Sequence, residues 1–247
     1  MHARLILATP ALLIIVTVAS TASAQIDEAF SSDRPGYANS TSVAPVLRPI
    51  TELGGTVAWD PDDGTAGTFP DLRIRMGVSR WLELRVDAPT VAFDDPIGFG
   101  DLTLALKLGS PVGRAFAVSV IPSVSIPVGT ADGRASGRLE LNWSATAGIV
   151  GFAGNFAASV VSVMDERRVR GEGSFALSVQ AMAILGIYVQ TFALWTDGAD
   201  PLPYAGAGVY LQAHPRVQTD LYVDVGLTDD ATRLVVGAGL SVLWGVE

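Results

Sequence analysis

The stretch "GDLTLALKLG", Gly100–Gly109, alternates without a break: Leu102, Leu104, Leu106 and Leu108 fall on one side, Asp101, Thr103, Ala105 and Lys107 on the other. Successive side chains of a β-strand point to opposite sides of its sheet, so a period of two predicts a strand with unlike faces. Here one face is all leucine and the other carries an acid and a base. The pattern returns along the chain. In "PDLRIRMGVS", Leu72, Ile74, Met76 and Val78 alternate with Asp71, Arg73, Arg75 and Gly77. In "WLELRVDA", Leu82, Leu84, Val86 and Ala88 alternate with Glu83, Arg85 and Asp87. "RLELNWSATAG" sets Leu139, Leu141, Trp143 and Ala145 against Arg138, Glu140, Asn142 and Ser144, and "VQTDLYVDVG" sets Leu221, Val223 and Val225 against Asp220, Tyr222 and Asp224.

About twelve such segments can be read, at roughly 49–60, 69–79, 81–93, 98–110, 114–127, 138–151, 155–165, 168–182, 185–195, 203–213, 217–227 and 231–245. Most exceed the five or six residues usual for globular strands. Long polar connections ("DPDDGTAGT", "DDPIG", "PVGTADGRASG", "DERR", "WTDGADPLP", "TDDAT") alternate with short ones ("SR", "SPVG", "FAGN", "AILG", "HPR"). That alternation is the habit of outer-membrane barrels, and an even strand number returns both chain ends to the periplasmic side. The predicted fold is all-β: a transmembrane antiparallel up-and-down β-barrel of about twelve strands, with long extracellular loops and short periplasmic turns. Two alternatives remain. Ser174–Thr196 and Leu141–Met164 are uncharged and long enough for membrane helices, although glycines and evenly spaced polar residues (Ser174, Ser178, Gln180) interrupt the first. A soluble sandwich or lipocalin-like barrel would turn its apolar face inward instead.

Near the start of the 247 residues stand a basic residue, Arg4, an apolar run Leu5–Val18 and the small residues Ala22-Ser23-Ala24, the layout of a secretory signal peptide over 1–24, with an uncleaved anchor as the alternative. Residues 25–48 then read as an extended N-terminal segment and 49–247 as the barrel. Removing the leader leaves 15 basic against 25 acidic residues, a formal charge of −10, which argues against nucleic acid as a partner. Cysteine is absent, excluding thiol catalysis and thiolate metal sites. His214, in the turn-like "QAHPRVQ", is the single histidine beyond the leader, too few for an imidazole metal cluster and poorly placed for a Ser-His-Asp triad. The acidic "DPDDGTAGTFPD" lacks the closing carboxylate of an EF-hand loop. No cofactor, no metal and no enzymatic activity are expected.

With the apolar face toward lipid, the polar face lines the lumen. The expected lumen residues are Arg73, Arg75, Glu83, Arg85, Asp87, Asp101, Lys107, Arg138, Glu140, Arg170, Glu172, Asp220 and Asp224. Their mixed signs predict cross-strand ion pairs rather than a ring of one charge. Such pairs either stiffen a narrow barrel or form a polar solute path. Trp59, Trp81, Trp143, Trp195 and Trp244 fall at or near predicted strand ends, as an interfacial girdle requires.

Several stretches, in order, resemble the outer-membrane β-barrel family assigned to transport in the phenol meta-degradation pathway. These are "SSDRPGYANSTSVAP" (Ser31–Pro45), "ITELGGTVAWD", "GFGDLTLALKL", "IPSVSIPVGT" and "VQTDLYVDVGLTDD". The resemblance implies a membrane-spanning barrel that passes small, hydrophobic or aromatic molecules across the outer membrane; the protein is expected to be a monomeric, passive outer-membrane channel without covalent chemistry. Its partners would be outer-membrane lipid and the barrel-assembly machinery. The alternative is a non-conducting barrel with a structural or surface role. One departure is that the usual terminal aromatic is displaced, Trp244 standing three residues before the end. Lying just before the first strand, the Ser31–Pro45 segment is expected to fold inward as an extended plug, with Asp33, Arg34, Pro35, Gly36 and Tyr37 at its heart and Asp33 and Arg34 pairing with lumen charges. The alternative is a disordered tail.

Overall fold

The computed structural model describes residues 30–93, 97–110, 115–129, 134–163 and 166–245, so the predicted leader lies outside the described residues. Twelve long strands appear among them. β1 (Ile50–Asp60) and β2 (Gly64–Ser79) form the first hairpin. β3 (Leu82–Asp87), β4 (Leu102–Leu108), β5 (Phe116–Ile126) and β6 (Ser136–Ala147) follow. Then come β7 (Val150–Val163), β8 (Glu166–Met182) and β9 (Leu185–Thr196). β10 (Leu202–His214), β11 (Val217–Gly226) and β12 (Leu234–Leu243) complete the set. Each pairs antiparallel with the next. β12 returns to β1, in register from Ile50↔Leu243 to Trp59↔Leu234. The sheet therefore closes on itself, leaving no edge whose backbone groups would be unpaired in hydrocarbon.

The wall is inverted relative to a soluble protein. On β4, Leu104, Leu106 and Leu108 are 39%, 44% and 54% exposed, whereas Lys107 between them is fully buried. Arg75, Glu83, Asn142, Asn155 and Ser241 are likewise buried on the inner face, and leucine, valine, isoleucine and phenylalanine cover the outside. Both uncharged stretches that offered a helical alternative are strand hairpins instead, β6–β7 and β8–β9. No helix among the described residues is long and apolar enough to cross a membrane. Trp59 and Trp195 project at the end of the barrel where the longer loops lie. Trp81 and Trp244 project at the opposite end, where the tight turns lie, so the outer band carries a Trp pair at each rim. Trp143 sits further in, 6.0 Å from the Phe175 ring.

Three local boundaries differ from the alternation. The strand expected over 81–93 stops at Asp87, because Pro89 two residues on has no N–H to continue the ladder. A two-residue hairpin, Val91–Ala92 with Gly98–Phe99, follows and rests on β2 at Thr68. The turn expected at "FAGN" falls at Gly148–Ile149, where Gly148 adopts a φ of +61° that a side chain disfavours. Phe152–Asn155 run inside β7. Finally, β2 starts at Gly64, so much of the expected long loop 60–68 is strand, paired to β1 beyond a bulge at Gly54/Thr56.

Candidate functional site

Residues 30–49 form no strand of the barrel, yet they lie inside it. Among the described residues the segment begins at Phe30, which packs with Ala44, Ile50 and Leu243 in a small apolar seat near the turn end. It rises past Asp33 and Arg34, bends at Pro35-Gly36 (Gly36 φ +111°), and returns to β1 through Thr41 and Ala44. The Ser40 N–H donates to Asp33 Oδ1 at 3.0 Å and ties the two limbs together. The segment is thus a re-entrant loop rather than the extended run expected, because glycine at a positive φ reverses it.

Its polar contacts reach nine of the twelve strands. The Asp33 N–H and Ser32 Oγ donate to Glu52 of β1, and Ser32 Oγ also meets Ser241 of β12. Arg34 donates to both Asp220 carboxylate oxygens on β11 at 3.3 Å and to the Ala238 carbonyl of β12. Tyr37 donates its hydroxyl to Glu172 of β8 at 2.7 Å, and its N–H to Gln190 of β9 at 2.9 Å. Asn39 donates to Glu140 of β6 at 2.6 Å, and Thr41 Oγ1 lies 2.7 Å from Ser144. The Ala44 N–H donates to Glu83 of β3 at 2.6 Å.

Around the Asp33 carboxylate four cations converge: Arg85 at 2.5 Å, Arg75 at 3.2 Å, Lys107 at 3.4 Å and Arg73 at 3.6 Å. Burial alone would raise this carboxyl's pKa, but the charges of Arg75, Arg85, Lys107 and Arg73 outweigh it and hold the group well below the usual carboxylate range. Tyr37 moves the other way, its phenol pushed up by burial and then by Glu172, so it remains a donor. Its ring stacks on Phe192 at 4.2 Å and 9°, and Phe192 stacks in turn on Tyr204 at 4.8 Å.

Of the sequence-predicted residues, Arg73, Arg75, Glu83, Arg85, Asp87 and Lys107 are brought into one network on β2–β4. Arg138, Glu140 and Glu172 make a second on β6 and β8, linked to the loop through Asn39 and Tyr37. Asp220 takes Arg34, and Asp224 accepts from Gln190 at 2.7 Å. Two stand apart: Arg170 donates to Thr196, and Asp101 accepts the Gly129 N–H at a loop base. Sequence reasoning missed Glu52, Gln190 and Gln218, the last donating to the Arg34 carbonyl at 2.7 Å. Their signal was present only as polar members of the inward rows. It also missed three glycines. A Cβ on Gly54 or Gly239 would strike the Arg34 guanidinium, and one on Gly77 would strike the Ala44 carbonyl.

Beside the loop lies a polar chamber of about 390 Å³, bordered by Asp33, Arg34, Tyr37, Arg73, Arg138 and Glu172. His214 sits in the β10–β11 turn, its Nδ1 accepting the Arg216 N–H. Among the described residues no group of three or more acidic or histidine side chains is placed to hold a metal ion.

The family described as "Putative MetA-pathway of phenol degradation" matches residues 32–244, taking in both the inserted loop and the whole barrel. The chain belongs to this phenol-degradation family. No match was found among curated proteins. Among solved structures, this family member is similar to an outer membrane channel from Pseudomonas putida F1, with TM-score 0.62 and 13% identity over 85% of this chain and 99% of that one. It is also similar to the NanC porin (TM-score 0.58, 6% identity, 79% and 100% covered) and the KdgM porin (0.58, 9%, 79% and 99%). At these identities the likeness is one of fold: an outer-membrane-type barrel.

Proposed function

We propose that the protein is a passive outer-membrane channel for small hydrophobic or aromatic molecules, plugged by residues 30–49, with the inward charges of β2–β4, β6, β8 and β11 lining the path. The observation that carries this reading is the inserted loop itself. β1 and β12 close the barrel without it, and it holds to the wall through side chains and two isolated bridges, Ser42↔Ser110 and Val46↔Gly77. A segment outside the ladder can leave without opening the sheet. The Tyr37–Phe192–Tyr204 stack supports an aromatic preference in the lumen, since a ring already fits there face to face. The family's description and the channel and porin relatives favour the same class. Export by the leader, insertion by the assembly machinery and a monomeric state belong to this proposal.

Planar-bilayer recording of the purified chain tests it, alongside a variant lacking residues 25–45. Small or rare steps for the full chain and larger, frequent ones for the deletion are expected. A flat trace from both, with the folded form still migrating faster than the boiled one on a detergent gel, would leave a non-conducting structural barrel. The dense ion pairing inside favours that second reading.

A further inference from the structure

We infer that Arg73, Arg75, Arg85 and Lys107 form a wall site for the carboxylate of a small, singly charged solute, and that Asp33 of the inserted loop occupies it as a built-in stand-in. The inference rests on the channel reading for how a solute arrives, and it narrows the substrate class from small aromatic molecules to small carboxylates, aromatic acids among them.

At one place the wall's own charges do not balance. The wall contributes four cations here, and the carboxylates it sets against them are three: Glu52 and Glu83 on Arg75, and Asp87 on Arg73. Arg75 and Lys107 are fully buried and Arg85 is 3% exposed. An uncompensated charge in such a place is costly, and one further anion brings the wall's formal charges into balance. Asp33, from outside the wall, is that anion. The donors also suit the ligand: guanidinium groups bind carboxylates through directed, charge-assisted hydrogen bonds. Moreover, the site is approachable, because Asp33 and Arg73 border the 390 Å³ chamber, a volume within the range of small-molecule pockets. Tyr37 borders the same chamber with its ring on Phe192, so an apolar or aromatic body has a surface to lie on once the loop gives way. Elsewhere the pairing of loop with wall has the opposite sense: Arg34 brings a cation to Asp220, so the demand for an added carboxylate is confined to the Asp33 position.

Chemical rescue tests the site. The full chain carrying Asp33→Ala is folded in detergent, and the temperature at which its fast-migrating form is lost is followed with sodium acetate, sodium benzoate, or sodium chloride at equal ionic strength. The variant is expected to melt below the parent protein. Acetate and benzoate should recover most of that loss while chloride recovers little, and the parent, its site filled, should not respond. Adding Arg85→Gln to Asp33→Ala should abolish the recovery. Equal effects of chloride and carboxylates, or an equal gain by the parent, would overturn the assignment. Should Asp33→Ala yield no folded form, Asp33→Asn keeps the loop's shape, removes the charge and supports the same comparison. Conductance without rescue removes the carboxylate site and leaves the channel; rescue without conductance does the reverse.

Discussion

Replacing Arg75 by Met is the sharpest probe of what the lumen charges contribute. Arg75 is fully buried, donates to Glu83 at 2.9 and 3.1 Å and to Glu52 at 2.8 Å, and lies 3.2 Å from Asp33. Methionine fills similar space without the charge, so the cluster changes from four cations against four carboxylates, Asp33 included, to three against four. Removing one partner of a buried pair costs about 3–5 kcal/mol, because the other is left charged and dry. The contrasting case is Arg168–Glu166, at 3.2 Å but with side chains 31% and 72% exposed, where a surface pair contributes about 0–1 kcal/mol. At roughly 2–4 °C per kcal/mol for a chain of this size, Arg75→Met should lower the unfolding midpoint by about 6–20 °C. Arg168→Met should move it by less than about 4 °C. The assay is gel-shift melting of folded protein in detergent, with urea unfolding in vesicles as a second probe. Adding Glu83→Gln to Arg75→Met restores the charge balance and should recover part of the loss. If Arg75→Met melts with Arg168→Met, the reasoning from burial and charge count fails.

Two further outcomes follow from the loop's seat. Gly239→Leu places a side chain where the Arg34 guanidinium lies, so the loop should be displaced with its own sequence intact; the expected result is bilayer conductance close to that of the 25–45 deletion, with the barrel still folded. The second concerns acid: Asp33 is ionised more readily in the loop than in an unfolded chain, because the surrounding Arg75, Arg85, Lys107 and Arg73 outweigh its burial. Its contribution is therefore complete above the ordinary carboxylate value of about 3.9 and is lost only as pH falls below that, toward the depressed value in the loop. The Asp33 component of the conductance should rise only below about pH 4, and Asp33→Asn should abolish that component of the acid step.

The barrel was legible wherever the two faces differ strongly. "GDLTLALKLG" and "WLELRVDA" put charge on one side and leucine or valine on the other, and β4 and β3 lie on them with the charged side inward. Legibility faded where the inward row is small or neutral. Across "GIVGFAGNFAASVV" Asn155 is the one large polar inward marker, so the glycine pairs are alike in pattern and the alternation points to a turn at 152–155 instead of Gly148–Ile149. The conformation at Gly148, not its identity, decides between them, and a conformation is set by the hairpin it closes.

Site residues were legible as positions but not as partners. Arg73 and Asp87 face one another across the β2–β3 pair, which a two-residue turn makes readable. Asp33 with Lys107 and Arg34 with Asp220 are separated by 74 and 186 residues, and only closure of the barrel brings them together. The strand glycines carry the decisive hint in a form that sequence reading discounts. Gly54 and Gly239 are directly opposite each other in the β1–β12 register, on inward rows, and together they leave the space that Arg34 fills. On the neighbouring strands β2–β4 the wall supplies cations in excess of its own acids, which is where Asp33 sits. A wall that is short of bulk where the loop brings arginine, and short of negative charge one residue earlier where it brings aspartate, specifies the order Asp-Arg. A reversed Arg-Asp would set arginine among four cations and leave Asp220 without its partner, so the swap of these two residues in place should release the loop more fully than neutralising either one.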